Sequence, residues 1–405
     1  MLTQEQNDQL TRVGRGTPAG ELLRRYWHPI AVAQELTDES PKMFVRLLGE
    51  DLVLFKDKSG RAGLLADHCS HRGASLLYGR VEERGIACAY HGWLYDCEGN
   101  ILETPPERND AIMNSVKHTA YPVKELAGMY WAYLGPLPAP CIPPYDFLMR
   151  DGTPRVTVTR PVLDCNWFQC IENTVDPTHA AILHQDAENR RAVPVNTTRG
   201  FIDDEPSFDF WRVPFGIMKR RNFANGESDE HPFIFPYILG GGGALYRVPI
   251  DDTHTWCVSV NVRPRQEGSE ATGGEAVVTY TEPFKDPPDR TYPFTRHKTR
   301  TIRQQDFMAW ETQGLIMDRT AEHLSFSDRA VVAMRRLMVE NIEAVQRGED
   351  PLGVIRDPDH PVIDTTGENN LNQTGGKTGR GRPYGISTGT LEDQPLKGAG
   401  VRSGR

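Results

Sequence analysis

A chain of 405 residues, 38% hydrophobic and 25% charged, has the composition of an ordinary soluble globular protein and is long enough for two or three domains with cores of their own. Its formal charge of -9 argues against nucleic acid as the main partner, because that association depends on clustered Lys and Arg neutralising phosphates. No stretch approaches the roughly 20 apolar residues that span a bilayer, and the start lacks the apolar core of a secretory signal, so a cytoplasmic protein without a membrane partner is expected.

In chain order, residues 1–26 read as two short helical pieces around the Gly-Pro break GRGTPAG. Gly14, Gly16 and Gly20 have the wrong spacing for a dinucleotide loop and no strand precedes them, so they are expected to be turn residues. From Met43 the pattern changes to short β-rich runs (FVRLL, DLVLF, AGLL) separated by turn signals, and it closes on MYWAYLG. A proline cluster, GPLPAPCIPPYDF, then marks a boundary, giving one small all-β domain over 27–140. Beyond it, VTVTRPV, YRVPI, WCVSVNV and AVVTYTE read as strands. Asn166 to His184 reads as helical on either side of Pro177, and Thr301 to Arg347 as a long helical stretch. The mixture predicts an α+β second domain over 141–360, an antiparallel sheet packed against helices. The tail, 361–405, is rich in Gly, Thr, Asn and basic residues and is expected to be extended or loosely ordered; its GGKT lacks the upstream glycine and strand of a phosphate loop.

Within the β domain stand Cys69-Ser70-His71 and, after sixteen intervening residues, Cys88-Ala89-Tyr90-His91. Two thiolates and two imidazoles can hold one zinc ion or a Rieske [2Fe-2S] cluster, in which two His replace two Cys on one iron. Zinc sites usually take their close pairs as two Cys or two His. Here each loop carries one of each, which suits two loops gripping a two-iron cluster from opposite sides, with Gly73 and Gly92 leaving room for backbone amides near its sulfides. His68 falls outside the pattern and reads as an ordinary loop histidine. Cys97, Cys141, Cys165, Cys170 and Cys257, in a set of seven spread over a long chain, are expected to be free thiols.

A second constellation follows, N-W-F-Q-C-I-E-N-T-V-D-P-T-H and then His184. On an uninterrupted helix, His179 and His184 would lie about 140° apart, so His184 should fall past a helix end or distortion, with Asp176-Pro177 as its local cause. By spacing alone, two unrelated histidines would be the safer reading. Asp176 before Pro177 also suits a helix N-cap.

CSHRGASLLYGRVEERGIACAYHGWLYDCEGN resembles the Rieske domain of ring-hydroxylating oxygenase α subunits, and E-N-x-x-D-x-x-H-x4-H resembles the iron-binding segment of the same family. The resemblance implies that Cys69, His71, Cys88 and His91 hold the cluster and that His179 and His184 are two ligands of a mononuclear Fe(II). It also implies functional roles for Asn173 and Asp176, with Asp176 linking His179 to His91 of a neighbouring subunit. The third iron ligand must be a downstream carboxylate among Asp306, Glu311 and Asp318, and Asp306 best matches the family position. Over most of 1–360 the chain is similar to the phthalate, phenoxybenzoate and chlorobenzoate dioxygenase group. Three runs carry that similarity without obvious chemistry: the start, DDTHTW at 251–256, and QGLIMDRTAEHLSFSDRAVV at 313–332. The group implies a helix-grip catalytic domain, an aromatic carboxylate and O2 as substrates, a homotrimer, and NAD(P)H electrons delivered through a separate reductase with flavin and a ferredoxin-type iron-sulfur centre. An O-demethylase of the same architecture would use identical metals. A carboxylate substrate needs a cation in an otherwise apolar pocket, for which Arg221 and Arg247 are the expected candidates.

Overall fold

The computed structural model describes residues 1–184, 208–222, 228–241, 243–264, 275–285 and 301–366. Helix α1 (Gln4–Thr11) starts on a Thr3/Gln6 capping box, and α2 (Pro18–Leu23) carries Pro at its first turn, where no amide partner is lost. Strands β1 (Trp27–Val32), β2 (Lys42–Leu47), β3 (Glu50–Lys56), β4 (Ala62–Ala66), β5 (Arg80–Glu82), β6 (Gly85–Ala87), β7 (Leu94–Tyr95) and β8 (Ile101–Glu103) follow. After a short helix, α3 (Ala111–Ser115), come β9 (Ala120–Tyr121), β10 (Val123–Leu126) and β11 (Met129–Tyr133). They form three antiparallel sheets, ordered β1-β11-β10, β2-β3-β4-β9 and β5-β6-β7-β8. The two-residue turn Leu48-Gly49, with φ of 50° and 76°, sets the β2–β3 register so that Val45 and Leu47 are buried beside exposed Phe44 and Arg46.

The second half begins with α4 (Asp146–Met149) and β12 (Gly152–Thr159), then α5 (Trp167–Val175) and α6 (Thr178–Leu183). Strands β13 (Phe208–Val213), β14 (Gly216–Asn222), β15 (Ser228–Ile234), β16 (Ile238–Leu239), β17 (Ala244–Pro249), β18 (Thr255–Pro264) and β19 (Val277–Thr281) precede α7 (Ile302–Glu311) and α8 (Arg329–Gln346). Among the described residues one sheet runs β13-β14-β15-β16-β17-β18-β12-β19, antiparallel except for the β12–β19 pair. The helical stretch expected over 301–347 is interrupted: residues 312–328 are mostly not helical, and two of their charged side chains, Arg319 and Glu322, are drawn into a buried network. The expected tail lies outside the described residues from 367 onward.

The large sheet has two unlike faces. Val156, Val158, Ala244, Tyr246, Val258 and Val260 fill a core that also receives Trp131 of β11, whose ring meets Tyr246 at 5.4 Å. The strand period of two puts Thr157, Leu245, Arg247, Cys257 and Ser259 on the other face, where Leu245 and Cys257 pack with Phe307 and Trp310 of α7. The functional groups collect on this polar face.

Helix α5 is held at both ends of its length. The Asn166 side chain caps it by accepting from Phe168 N at 2.9 Å and donates to the carbonyls of Thr11 and Asp252. Glu172 receives Arg319 at 2.9 and 2.7 Å and Arg335 Nε at 2.7 Å, and Arg335 also binds Glu322. The three runs that carried similarity without chemistry therefore supply the partners that anchor α5: Thr11, Asp252, Arg319 and Glu322.

Two candidate metal centres

The two Cys-His loops have the same build. Cys69 N donates to Ala74 O at 2.9 Å and Gly73 N to Cys69 O at 2.8 Å; Cys88 N donates to Trp93 O and Gly92 N to Cys88 O, both at 2.9 Å. Each loop turns on a glycine with positive φ, 74° at Gly73 and 77° at Gly92, a conformation that disfavours side chains. The repeated turn brings the imidazoles of His71 and His91 to 4.5 Å between centroids, with His71 stacked flat on Trp93. Cys69 and Cys88 are buried, whereas Tyr90 is 57% exposed beside His91. The quartet thus spans from the domain core to its surface.

Polar groups behind the loops complete the cradle. Tyr95 Oη lies 3.0 Å from Cys69 Sγ, and with a thiolate there the hydroxyl is the donor. His118 is fixed by Ala66 O and the Ser70 hydroxyl at 2.8 and 2.7 Å. Burial raises the Cys88 pKa, and the neighbouring Cys69 thiol adds to it against the backbone amides of Tyr90 and His91. His71 Nδ1 is buried and has no hydrogen-bond partner. Two thiols and an orphaned imidazole nitrogen are the donor set that a [2Fe-2S] group would satisfy.

The second centre depends on a broken helix. Helix α5 ends at Val175, Pro177 cannot donate an amide bond, and Asp176 accepts from Thr178 N at 2.7 Å, which starts α6 in a new direction. The cap reading of Asp176 and its proximity to a histidine coexist: its Oδ2 lies 3.5 Å from His179 Nδ1. His179 sits in the first turn of α6 and His184 just beyond its end, as the spacing requires. From the opposite side α7 supplies Asp306, whose Oδ1 lies 3.6 Å from His179 Nε2 and 3.3 Å from His184 Nε2. Ligand atoms of the three residues all fall within 4.8 Å of one another.

The protonation pattern fits a cation. Gln305 Oε1 accepts from His184 Nδ1 at 2.7 Å, leaving the Nε2 lone pair pointed at a carboxylate. Burial alone would lower the His184 pKa; Asp306 and Gln305 outweigh it and raise it, as expected of acceptors gathered around a place for positive charge. Burial likewise acts to raise the Asp176 pKa, but His179, the Thr178 amide and Lys219 hold it below the ordinary carboxylate value. Asn173 Nδ2 reaches Asp306 Oδ1 at 3.4 Å.

The rival carboxylates lie elsewhere. Glu311 accepts from the backbone amides of Asp164 and Lys285, and Asp318 binds Thr320. Neither expected arginine is among the described residues that line the cavity against the large sheet. Arg221 is gripped by Asp229 on the neighbouring strand, and Arg247 is 1% exposed with its guanidinium 5.4 Å over Trp310 and a bond to Leu245 O. A cavity of about 530 Å³ opens against the polar face of the large sheet, with Arg303, one turn before Asp306, in its lining. Arg303, Gln305 and Lys219 were not singled out from sequence. Only the placement of Arg303 and Gln305 beside Asp306 in RQQDF offered a signal, whereas Lys219 reaches Thr174 O by folding alone.

Comparison with known proteins identifies relatives of this chain. Residues 26–124 match the Rieske [2Fe-2S] domain family, and residues 294–367 the LigXa C-terminal domain like family. The chain is 39% identical over 372 residues to a 5,5'-dehydrodivanillate O-demethylase oxygenase subunit of Sphingobium sp., covering 88% of this chain and 84% of that protein. It is 33% identical over 396 residues to a phthalate 4,5-dioxygenase oxygenase subunit of Pseudomonas putida, covering 87% and 89%. The fold matches the oxygenase in a carbazole-bound oxygenase and ferredoxin complex of carbazole 1,9a-dioxygenase, with a TM-score of 0.60 at 19% identity over 88% of this chain and 96% of that one.

Proposed function

The chain belongs to the Rieske non-haem iron oxygenases, and on that premise we propose that it is the terminal oxygenase that hydroxylates an aromatic carboxylate with O2 and electrons from a separate reductase. Cys69, His71, Cys88 and His91 hold the [2Fe-2S] cluster; His179, His184 and Asp306 hold the mononuclear iron. Bound there, the cluster would supply one-electron transfer at a potential raised by its imidazole ligands, and the iron would supply oxygen-activating chemistry. The observation that carries the reading is the convergence of His179, His184 and Asp306.

The surrounding residues orient these ligands. Gln305 holds the His184 proton on Nδ1, Asn173 steadies Asp306, and Asp176 faces the Nδ1 side of His179. Within a head-to-tail homotrimer, Asp176 would join His179 to His91 of the partner subunit, whose imidazole lies at the exposed end of its domain. NAD(P)H, flavin and a ferredoxin-type centre belong to the reductase partner, and the assembly works in the cytoplasm; among the described residues no helix is long and apolar enough to cross a membrane. The test is an anaerobic, reductase-coupled screen of aromatic acids followed by admission of O2, with products identified by mass. Absence of any oxygenated product across phthalate, phenoxybenzoate, chlorobenzoate and methoxybenzoate would sink the proposal.

The higher identity to the O-demethylase subunit, 39% against 33%, supports a second reading, removal of a methyl group from a methoxylated aromatic acid. Hydroxylation of a methoxy carbon releases formaldehyde and a phenol. Formaldehyde from methoxybenzoate, with no diol from phthalate, would select it.

A further inference from the structure

The cavity that Arg303 lines has a one-sided charge. Among the described residues its lining includes Arg155, Arg263, Arg303 and His231 and no acidic side chain. Apolar surface is also present, from Leu239, Leu245 and the strand edges. A cavity of this size, lined by both polar and apolar groups and carrying several basic side chains, can take a small aromatic anion.

The four basic groups differ in availability. Arg155 and Arg263 are exposed at the rim, where water screens them. Burial, with the nearby Arg221 charge assisting it, lowers the His231 pKa to about 3, so the ring is neutral at physiological pH. Arg303 is half-buried: its Nη2 donates to Ser259 Oγ at 2.9 Å, while its Nη1 is buried with no hydrogen-bond partner. A buried guanidinium nitrogen without an acceptor is costly to keep unless something supplies one. The planar fork of Arg suits a carboxylate in particular.

Position on the helix adds to the argument. Arg303 precedes Asp306 by three residues, about 4.5 Å along the axis and on the same side of α7. Arg303 therefore shares a face of α7 with the metal ligand Asp306, and it is the residue of that helix that lines the cavity. We infer that Arg303 anchors the carboxylate of the substrate and so selects aromatic acids over neutral aromatics. This rests on the aromatic-acid reading above and names the residue that enforces it.

The test measures binding of phthalate and of its neutral dimethyl ester to the metal-loaded protein by calorimetry, for the parent and for Arg303→Gln and Arg303→Lys, with iron content and melting temperature recorded alongside. The parent should prefer phthalate. Arg303→Gln should weaken phthalate roughly 10- to 100-fold, the loss of a charge-assisted pair, while ester affinity and iron content stay unchanged. Arg303→Lys should keep part of the preference, because a point charge replaces the fork, and it serves as the measurement should the Gln variant not fold. Phthalate affinity within twofold of the parent in either stable variant would overturn the assignment, as would a parent with no preference for phthalate over its ester. Product formation by the parent tests the oxygenase reading separately, so the two can fail independently.

Discussion

Asp306 and Glu311 stand five residues apart on one helix, and their partners separate their roles. Asp306 meets the Nε2 atoms of two imidazoles; burial raises the Glu311 pKa although two backbone amides, of Asp164 and Lys285, oppose it. Asp306→Ala should therefore lose the mononuclear iron and keep the visible absorption of the cluster. Glu311→Ala should keep all its iron and lose about 1–3 kcal/mol of stability from the stranded amides. Metal analysis and thermal melts on the two variants check this, and iron loss in the Glu311 variant alone would reverse the ligand assignment. At Asp176 the Asn variant isolates charge from geometry, because the amide oxygen can still cap Thr178. Asp176→Asn should bind both metals yet nearly abolish turnover in a reductase-coupled assay; full turnover would remove Asp176 from the electron path.

Helix α5 shows how an element depends on charges far from the chemistry. Burial alone would raise the Glu172 pKa, but Arg319 and Arg335 outweigh it and hold it below its ordinary 4.5. A depressed carboxylate pKa contributes stability that is fully present above the unfolded value and is lost as pH falls through the folded one. The Glu172 contribution should accordingly persist above pH 4.5 and fade below it. Glu172→Ala leaves two buried guanidinium groups short of a partner and should cost about 3–5 kcal/mol, read as a lower denaturation midpoint at neutral pH; an unchanged midpoint would show the network to be dispensable. Loss of iron should accompany it, since α5 leads directly into the Asp176 break. The same network holds Arg319 and Glu322 of the non-helical stretch 312–328 inward, where a regular amphipathic helix would turn them to solvent.

On the scale of the whole molecule, a single core joins the N-terminal helices, the β1-β11-β10 sheet and the large sheet. His28 crosses that junction: its Nε2 donates to Leu23 O at 2.9 Å and its Nδ1 accepts from the Tyr237 hydroxyl at 2.7 Å. Burial, opposed by the Leu23 carbonyl and assisted by Arg24, lowers its pKa from 6.5 to about 4. The unfolded chain takes up this proton first, so the stability that neutral His28 contributes is full above pH 6.5 and is lost as pH falls toward 4. The melting temperature should decline across that window, with a shallower slope for His28→Gln; equal slopes would show that His28 does not report the junction. Sedimentation of the intact protein should give a trimer, and a monomer that turns over at the full rate would exclude transfer from Asp176 to a partner's cluster.

Ligand chemistry was legible in sequence where it rests on local spacing. The two Cys-His pairs sit in short loops whose form depends on neighbouring glycines; for His179 and His184 spacing gave only the helix break at the Asp-Pro step, and their reading as ligands came from the family resemblance. The β runs of the first half were legible for the same reason, since alternation and turns are local. Residues 312–328 and the anchoring of α5 were not, because they depend on contacts between positions more than a hundred residues apart, such as Arg319 with Glu172. Sequence determined two sets of candidate metal ligands. Tertiary structure decided that Asp306, and neither Glu311 nor Asp318, meets the two histidines and that Arg303 faces the cavity, because both follow from where α7 lies.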